Sequence, residues 1–200
     1  MKRRILGYVA VMATVICLCA APSFAADNFK IGVGYQGLIA GNYLNGLSGR
    51  AWFGPNTAIG AEANVFYGSM KGDASISTIP VSAEFDGKLW MIELKAMYAF
   101  LVRQNSRFYA GAKFAYGQYD GSAGVSGIAA NLDGKMYIPG ILVGAEWNFP
   151  SLPELGFNFE VGYNYVIDKN SGTFASLPQE LDVDLKLHGI NVGAGIKYYF

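Results

Sequence analysis

Eight stretches of this chain alternate their side chains with a period of two, and that pattern decides what the chain can become. Successive residues of an extended strand point to opposite faces, so strict alternation separates an apolar face from a polar one. In the first stretch Phe29, Ile31, Val33 and Tyr35 fall on one side, with Lys30, Gly32, Gly34 and Gln36 on the other. A shorter second stretch near 47–53 carries Ser48 and Arg50 on its polar face. The third sets Ile59, Ala61, Ala63, Val65 and Tyr67 against Gly60, Glu62, Asn64 and Gly68. The fourth sets Trp90, Ile92, Leu94, Ala96, Tyr98 and Phe100 against Met91, Glu93, Lys95 and Met97. The remaining four repeat the theme, with Lys113 on the polar face of the fifth, Glu146 on the sixth, Glu160 on the seventh and Lys197 on the eighth. Helical spacing fits none of them.

The first residues read as an export signal. Met1 to Arg4 is a short basic segment, 5–21 is almost wholly apolar, and Ser23 and Ala25 are small residues at the −3 and −1 positions of a cleavage site after Ala25. Both cysteines, Cys17 and Cys19, lie inside that segment, so no disulfide is expected in the exported part. The expected organisation is a cleaved signal at 1–25 and one domain at 26–200, in which fifteen acids face twelve bases. No later apolar run is long enough for a membrane helix; Glu93 and Lys95 interrupt the longest. Charged residues are 15% of the whole chain and glycines number 26, against about 25% and 7% in average usage. An exported chain this apolar and glycine-rich, without helical spans, points to a closed β-barrel. The aromatic content excludes disorder, and the formal net charge of zero argues against nucleic-acid binding.

The connections alternate in length. They are short after the second, fourth and sixth strands, at 54–57, 103–107 and 150–155, and long after the third, fifth and seventh, at 69–87, 118–134 and 168–186. Outer-membrane barrels have short periplasmic turns and long external loops, which places both termini on the periplasmic side. The connection at 41–46 is short for an external one. Alternation continues inside two long connections, through Ile79, Val81, Ala83 and Phe85 and through Leu181, Val183, Leu185 and Leu187, so several hairpins are expected to extend past the membrane. A bulge is expected near His188-Gly189, where the apolar parity slips. Asp86-Gly87-Lys88 and Asp133-Gly134-Lys135 are hairpin-turn or bulge signals.

The candidate site residues are the charges that converge on the lumen: Lys30, Arg50, Glu62, Glu93, Lys95, Lys113, Glu146, Glu160 and Lys197. Five bases against four acids are what a salt-bridged filling of a narrow bore needs. The competing reading is a polar path for ions or protons. Gly32, Gly34, Gly193 and Gly195 also face inward, so one wall lacks side chains and is either covered from the far wall or wet.

Other motifs carry less. Gly32-Val33-Gly34-Tyr35-Gln36-Gly37 spells a dinucleotide fingerprint but lies inside a strand with no helix to open. His188, the one histidine, has no serine or acid arranged around it as a catalytic motif, so no enzyme activity is expected. Glu180, Asp182 and Asp184 alternate and read as a solvated face; no metal or cofactor is expected. The three long connections hold nine acids against three bases, which disfavours capture of anions there.

Aromatic residues bracket the strands. Trp52, Phe53, Phe100, Phe108, Trp147, Phe149, Phe157, Tyr198 and Phe200 gather at the turn-side ends; Tyr35, Tyr67, Trp90, Tyr116, Tyr137 and Tyr165 gather toward the long connections. Two such bands read as interfacial girdles.

With its leader, eight alternating strands and terminal Ile196-Lys197-Tyr198-Tyr199-Phe200, the chain resembles the small outer-membrane β-barrel families of Gram-negative bacteria, of the opacity/porin and OmpX/OmpA-barrel types. The segment from Trp52 to Gly60 is similar to a turn that recurs in this group. The resemblance implies that Val192, Ile196, Tyr198 and Phe200 form the signal read by the barrel-assembly machinery. No peptidoglycan-binding domain is expected after the barrel.

The sequence therefore predicts an all-β, eight-stranded antiparallel transmembrane β-barrel, with ten strands as the alternative if a long connection holds a further hairpin. It is expected to be a monomer in the outer membrane, with lipids as its surroundings. Its expected role is non-enzymatic, a surface-interaction or envelope-integrity function with any ligand met through the external loops. A narrow channel for ions or small solutes is the alternative.

Overall fold

The computed structural model describes residues 29–38, 44–76, 81–125, 128–174 and 180–200. The proposed signal at 1–25 lies outside them. Eight strands follow one another in chain order: β1 (Phe29–Leu38), β2 (Leu44–Phe53), β3 (Ile59–Ile76), β4 (Val81–Arg103), β5 (Ser106–Val125), β6 (Ile128–Phe149), β7 (Leu152–Phe174) and β8 (Glu180–Tyr199). Each pairs antiparallel with its neighbours, and β1 pairs with β8, which closes the ring. The described residues hold these eight strands and no further hairpin. Closure removes the open sheet edge that hydrocarbon cannot solvate.

Burial follows the alternation. Along β4, odd residues 91–99 are buried and even residues 92–100 are exposed. The outward set is large and apolar, including Tyr67, Leu94, Phe100, Ile141 and Val143, each more than half exposed. In water such a belt would be an aggregation surface; in a bilayer it is the lipid contact.

The β2–β3 turn shows how locally the ends are written. Gly54 adopts φ +79°, where a side chain would be strained, and Asn56 and Thr57 follow at φ 55° and 50°. The Thr57 amide donates to the Gly54 carbonyl at 2.9 Å, closing a tight reverse turn over Pro55 and Asn56, the latter at φ 55°, ψ 22°. The other short turns are tighter than the sequence implies, because β4 runs to Arg103, β5 begins at Ser106 and β7 begins at Leu152.

The long connections are mostly strand. β1 and β2 have ten residues each, the length that crosses hydrocarbon in a tilted barrel strand, about 9–11 residues. β3 to β8 have 18 to 23 residues and continue past that level as paired hairpins. Both Asp-Gly signals fall inside regular ladders, with Asp86 opposite Lys71 and Asp133 opposite Asp120. Gly134 instead makes room for the ring of Tyr119, which lies where a Cβ would stand.

Two further expectations are corrected. The β7–β8 register is continuous through Tyr165↔His188 and Asn164↔Gly189, with no bulge. The apolar parity slips there because side-chain chemistry changes faces while the backbone runs on. Bulges occur elsewhere, at Ala99/Leu101 in the β4–β5 ladder and at Asn148/Phe149 in the β6–β7 ladder. Trp52 leaves the girdle: it shares parity with Ser48 and Arg50, so it points into the lumen and is fully buried.

Candidate functional site

The lumen is filled in three tiers. At the short-turn end Trp52, Met97, Ala99, Tyr109, Leu142 and Tyr199 form an apolar cluster. Their rings cover the inward glycines: Tyr109 lies over Gly144, Tyr199 over Gly32 and Gly156, and Trp52 over Gly60. Of the wall expected to lack side chains, Gly32 lies under the Tyr199 ring, whereas Gly195 is covered by the polar ends of Gln36 and Asn158; the pairing of ring and strand glycine holds register. Toward the long hairpins Leu44, Phe66, Met91 and Ala115 form a second apolar tier, against which Leu89 and Ile138 pack.

Between the two lies a layer of charge centred on Arg50. Register sets it up, because Arg50, Glu62 and Lys95 stand side by side across β2, β3 and β4. The Arg50 guanidinium donates from Nε to Glu62, from Nη1 to Glu146 at 2.7 Å and from Nη2 to Glu160 at 2.6 Å. Lys95 Nζ donates to Glu62 at 2.8 Å and to Glu160 at 2.6 Å, and lies 3.4 Å from Glu93. Tyr109 donates its hydroxyl proton to Glu160 at 2.8 Å, and Tyr199 donates to Glu146 at 2.5 Å. Lys197 donates to Gln36 at 3.0 Å and to Asn158 at 2.9 Å, with Glu62 at 3.5 Å. Lys113 sits 3.5 Å from Glu93 at the margin.

Eight of the nine charges proposed from sequence are brought together in this layer, each no more than 7% exposed. The exception is Lys30, which is exposed at the short-turn mouth beside Arg107, Glu146 and Tyr199. Its parity is inward, but it is the second residue of β1 and stands at the rim, where water reaches it. Arg107 takes its place as the fifth buried base: it is 6% exposed, 3.4 Å from Glu146 and 4.6 Å above the Trp52 ring. It reads as a turn residue in the sequence because β5 starts one residue before it. The polar residues that complete the layer, Gln36, Asn64, Asn158, Tyr109 and Tyr199, carry no charge to single them out; inward parity is the signal that locates them.

Chemically this arrangement comes within one charge of balance. Four carboxylates meet five cations in a space with an apolar floor and an apolar ceiling, and a buried ion is tolerable only when paired in this way. Ile196, Tyr198 and Phe200 face outward at the end of β8, with Phe200 78% exposed. His188 also faces outward; its Nδ1 lies 2.7 Å from the Tyr163 hydroxyl on the exterior of β7 and β8. Among the described residues no three His, Cys, Asp or Glu side chains are grouped to hold a metal. Asp184 is exposed, whereas the side chains of Glu180 and Asp182 lie outside those described.

Comparison with solved structures returns outer-membrane barrels. The chain is similar to a major outer membrane protein from Thermus thermophilus, with 12% identity over 86% of this chain and 99% of that one and a TM-score of 0.59. It is more distantly similar to CarO2 from Acinetobacter baumannii, at 14% identity over 86% and 98% of the two chains and a TM-score of 0.45. The outer membrane protease OmpT from Escherichia coli also aligns, at 14% identity over 90% and 99% and a TM-score of 0.39. No family model and no curated protein sequence matches the chain. The fold is that of the Gram-negative outer-membrane β-barrels, closed by eight antiparallel strands.

Proposed function

We propose that this protein is a non-enzymatic outer-membrane barrel whose bore is closed at membrane level and which acts from its external side, in surface interaction or envelope integrity. The single observation that carries the reading is the capped charge layer. Arg50, Glu62, Glu146, Glu160 and Lys95 pair with one another between the Trp52–Tyr109–Tyr199 tier and the Phe66–Met91 tier. An ion crossing it would have to break several charge-assisted hydrogen bonds at once. Six strands meanwhile carry about twice the length that a membrane needs, and that surplus forms the outward-projecting part. The exposed Ile196, Tyr198 and Phe200 fit a role as the segment read by the assembly machinery, and the lipid belt fits a monomer surrounded by lipid.

The test compares two variants in cells lacking the native chain. One shortens the β7–β8 hairpin by deleting residues 171–184; the other, Lys113→Gln, alters the margin of the lumen. The reading expects detergent sensitivity and loss of surface adhesion from the shortened hairpin alone. The same defects from Lys113→Gln with the hairpins intact would refute it.

A further inference from the structure

Past the membrane-length part of the ring the alternation keeps its geometry and exchanges its chemistry. On the lumen side of the extension stand Leu89, Met136, Ile138, Val166, Leu185 and Leu187. On the outer side stand Lys88, Asp120, Lys135, Lys169, Asp184 and Lys186, all exposed. Within the membrane span the polarity is the reverse. The extension is therefore a sleeve, wettable outside and lined inside by apolar side chains with one polar group of Tyr119, Asp168 and Asn170, standing on the Phe66–Met91 tier as its floor.

The sleeve is open on one side. β1 and β2 stop at the Leu38↔Leu44 pair, so among the described residues 68–76 of β3 and 180–192 of β8 are paired on one edge only. The unpaired thirteen-residue edge of β8 runs about 40 Å. Leu185 and Leu187, on that edge strand, are 43% and 57% exposed although they lie on its inner face. Ile190, 73% exposed on the lipid side of the same strand, makes the apolar surface continuous from bilayer to sleeve. One charged side chain stands on the described inner face of the extension, Asp168. The Tyr119 hydroxyl, which also meets Asn170 Oδ1, lies 3.1 and 3.2 Å from the two Asp168 carboxylate oxygens, and Asn170 Nδ2 donates to the carboxylate at 3.3 Å, which leaves acceptor capacity on both oxygens.

We propose that the sleeve binds the hydrocarbon tail of a single-chain amphiphile with a cationic head. The tail lies against Leu89, Ile138 and Leu187, the head is held at Asp168, and exchange with the outer leaflet runs sideways through the gap between β3 and β8. The proposal rests on the closed-lumen reading, since the floor makes the sleeve blind. Burial of a methylene chain along an apolar wall supplies the affinity, and the lone carboxylate supplies the preference for head charge.

The probe is dodecylamine carrying a terminal diazirine, with the matching dodecanoate as its anionic counterpart, photolysed with the full chain in nanodiscs. Mass mapping should place the amine's crosslinks on Leu89, Met136, Ile138 and Leu187, above those on the lipid-facing Ile141 and Tyr163. The carboxylate should label the inner face about fivefold less, the effect of roughly 1 kcal/mol of charge preference. Asp168→Asn should erase that difference, and Leu187→Asp should remove inner-face labelling, both with unchanged heat-dependent gel mobility. Crosslinks confined to Ile141, Tyr163 and other lipid-facing residues would overturn the proposal, as would equal labelling by the two probes in the unmodified chain. Ion conductance would overturn the closed-lumen reading instead, so the two failures are separable.

Discussion

Arg50 and Glu62 stand directly opposite each other on β2 and β3, and their side chains are joined inside the barrel with neither exposed to solvent. Arg50 also holds Glu146 and Glu160, which reach it from β6 and β7 on the far side of the ring. One guanidinium thus ties together carboxylates from three strands.

Removing it should be costly. Arg50→Ala leaves three carboxylates short of a cation in a buried layer, and breaking a buried pair in this way costs about 3–5 kcal/mol. Urea unfolding in detergent micelles, followed by tryptophan fluorescence, should show that loss. Arg50→Gln combined with Glu62→Gln should recover part of it, with a coupling of roughly 1–3 kcal/mol. Full additivity of the two single changes would mean that the pair is not a unit.

The ring-over-glycine contacts give a second test. A Cβ on Gly144 would meet the Tyr109 ring at 2.7 Å, whereas one on Gly49 meets nothing within 4 Å. Gly144→Ala should destabilise the barrel by about 1–3 kcal/mol, in the range of overpacked cores, while Gly49→Ala stays near neutral. Equal effects would show that the aromatic tier is loose.

How much of this is legible in the sequence depends on which physical signal each residue carries. Alternation locates all eight strands and puts Arg50, Glu62, Lys95 and Glu160 on lumen faces, because period two is a property of the backbone itself. Side-chain type alone sends Trp52 to the lipid girdle, where its parity with Arg50 points inward. Parity alone sends Lys30 inward, but the rim of a barrel is decided by height, which parity does not encode. The bulge expected at His188-Gly189 comes from assuming that the apolar face stays outward. Above the membrane the solvent changes, and the apolar face changes sides with it. The three-tier filling is not legible, because it depends on which residues from distant strands share one height.

The end of β8 offers a third prediction. Deleting Phe200 should reduce the folded fraction in cells several-fold while leaving refolding into detergent unchanged, as judged by heat-dependent gel mobility. Equal impairment in both settings would make Phe200 a packing residue instead of an assembly signal.

Whether the bore is closed is decided by planar-bilayer recording of the refolded protein. A bore filled by the Arg50 layer predicts silence from protein shown to be folded by its gel mobility, and the appearance of conductance when Arg50 and Lys95 are both replaced by alanine. Reproducible steps from the unmodified chain, altered by Glu93→Ala or Lys113→Ala, would contradict it and make the charge layer a conducting path.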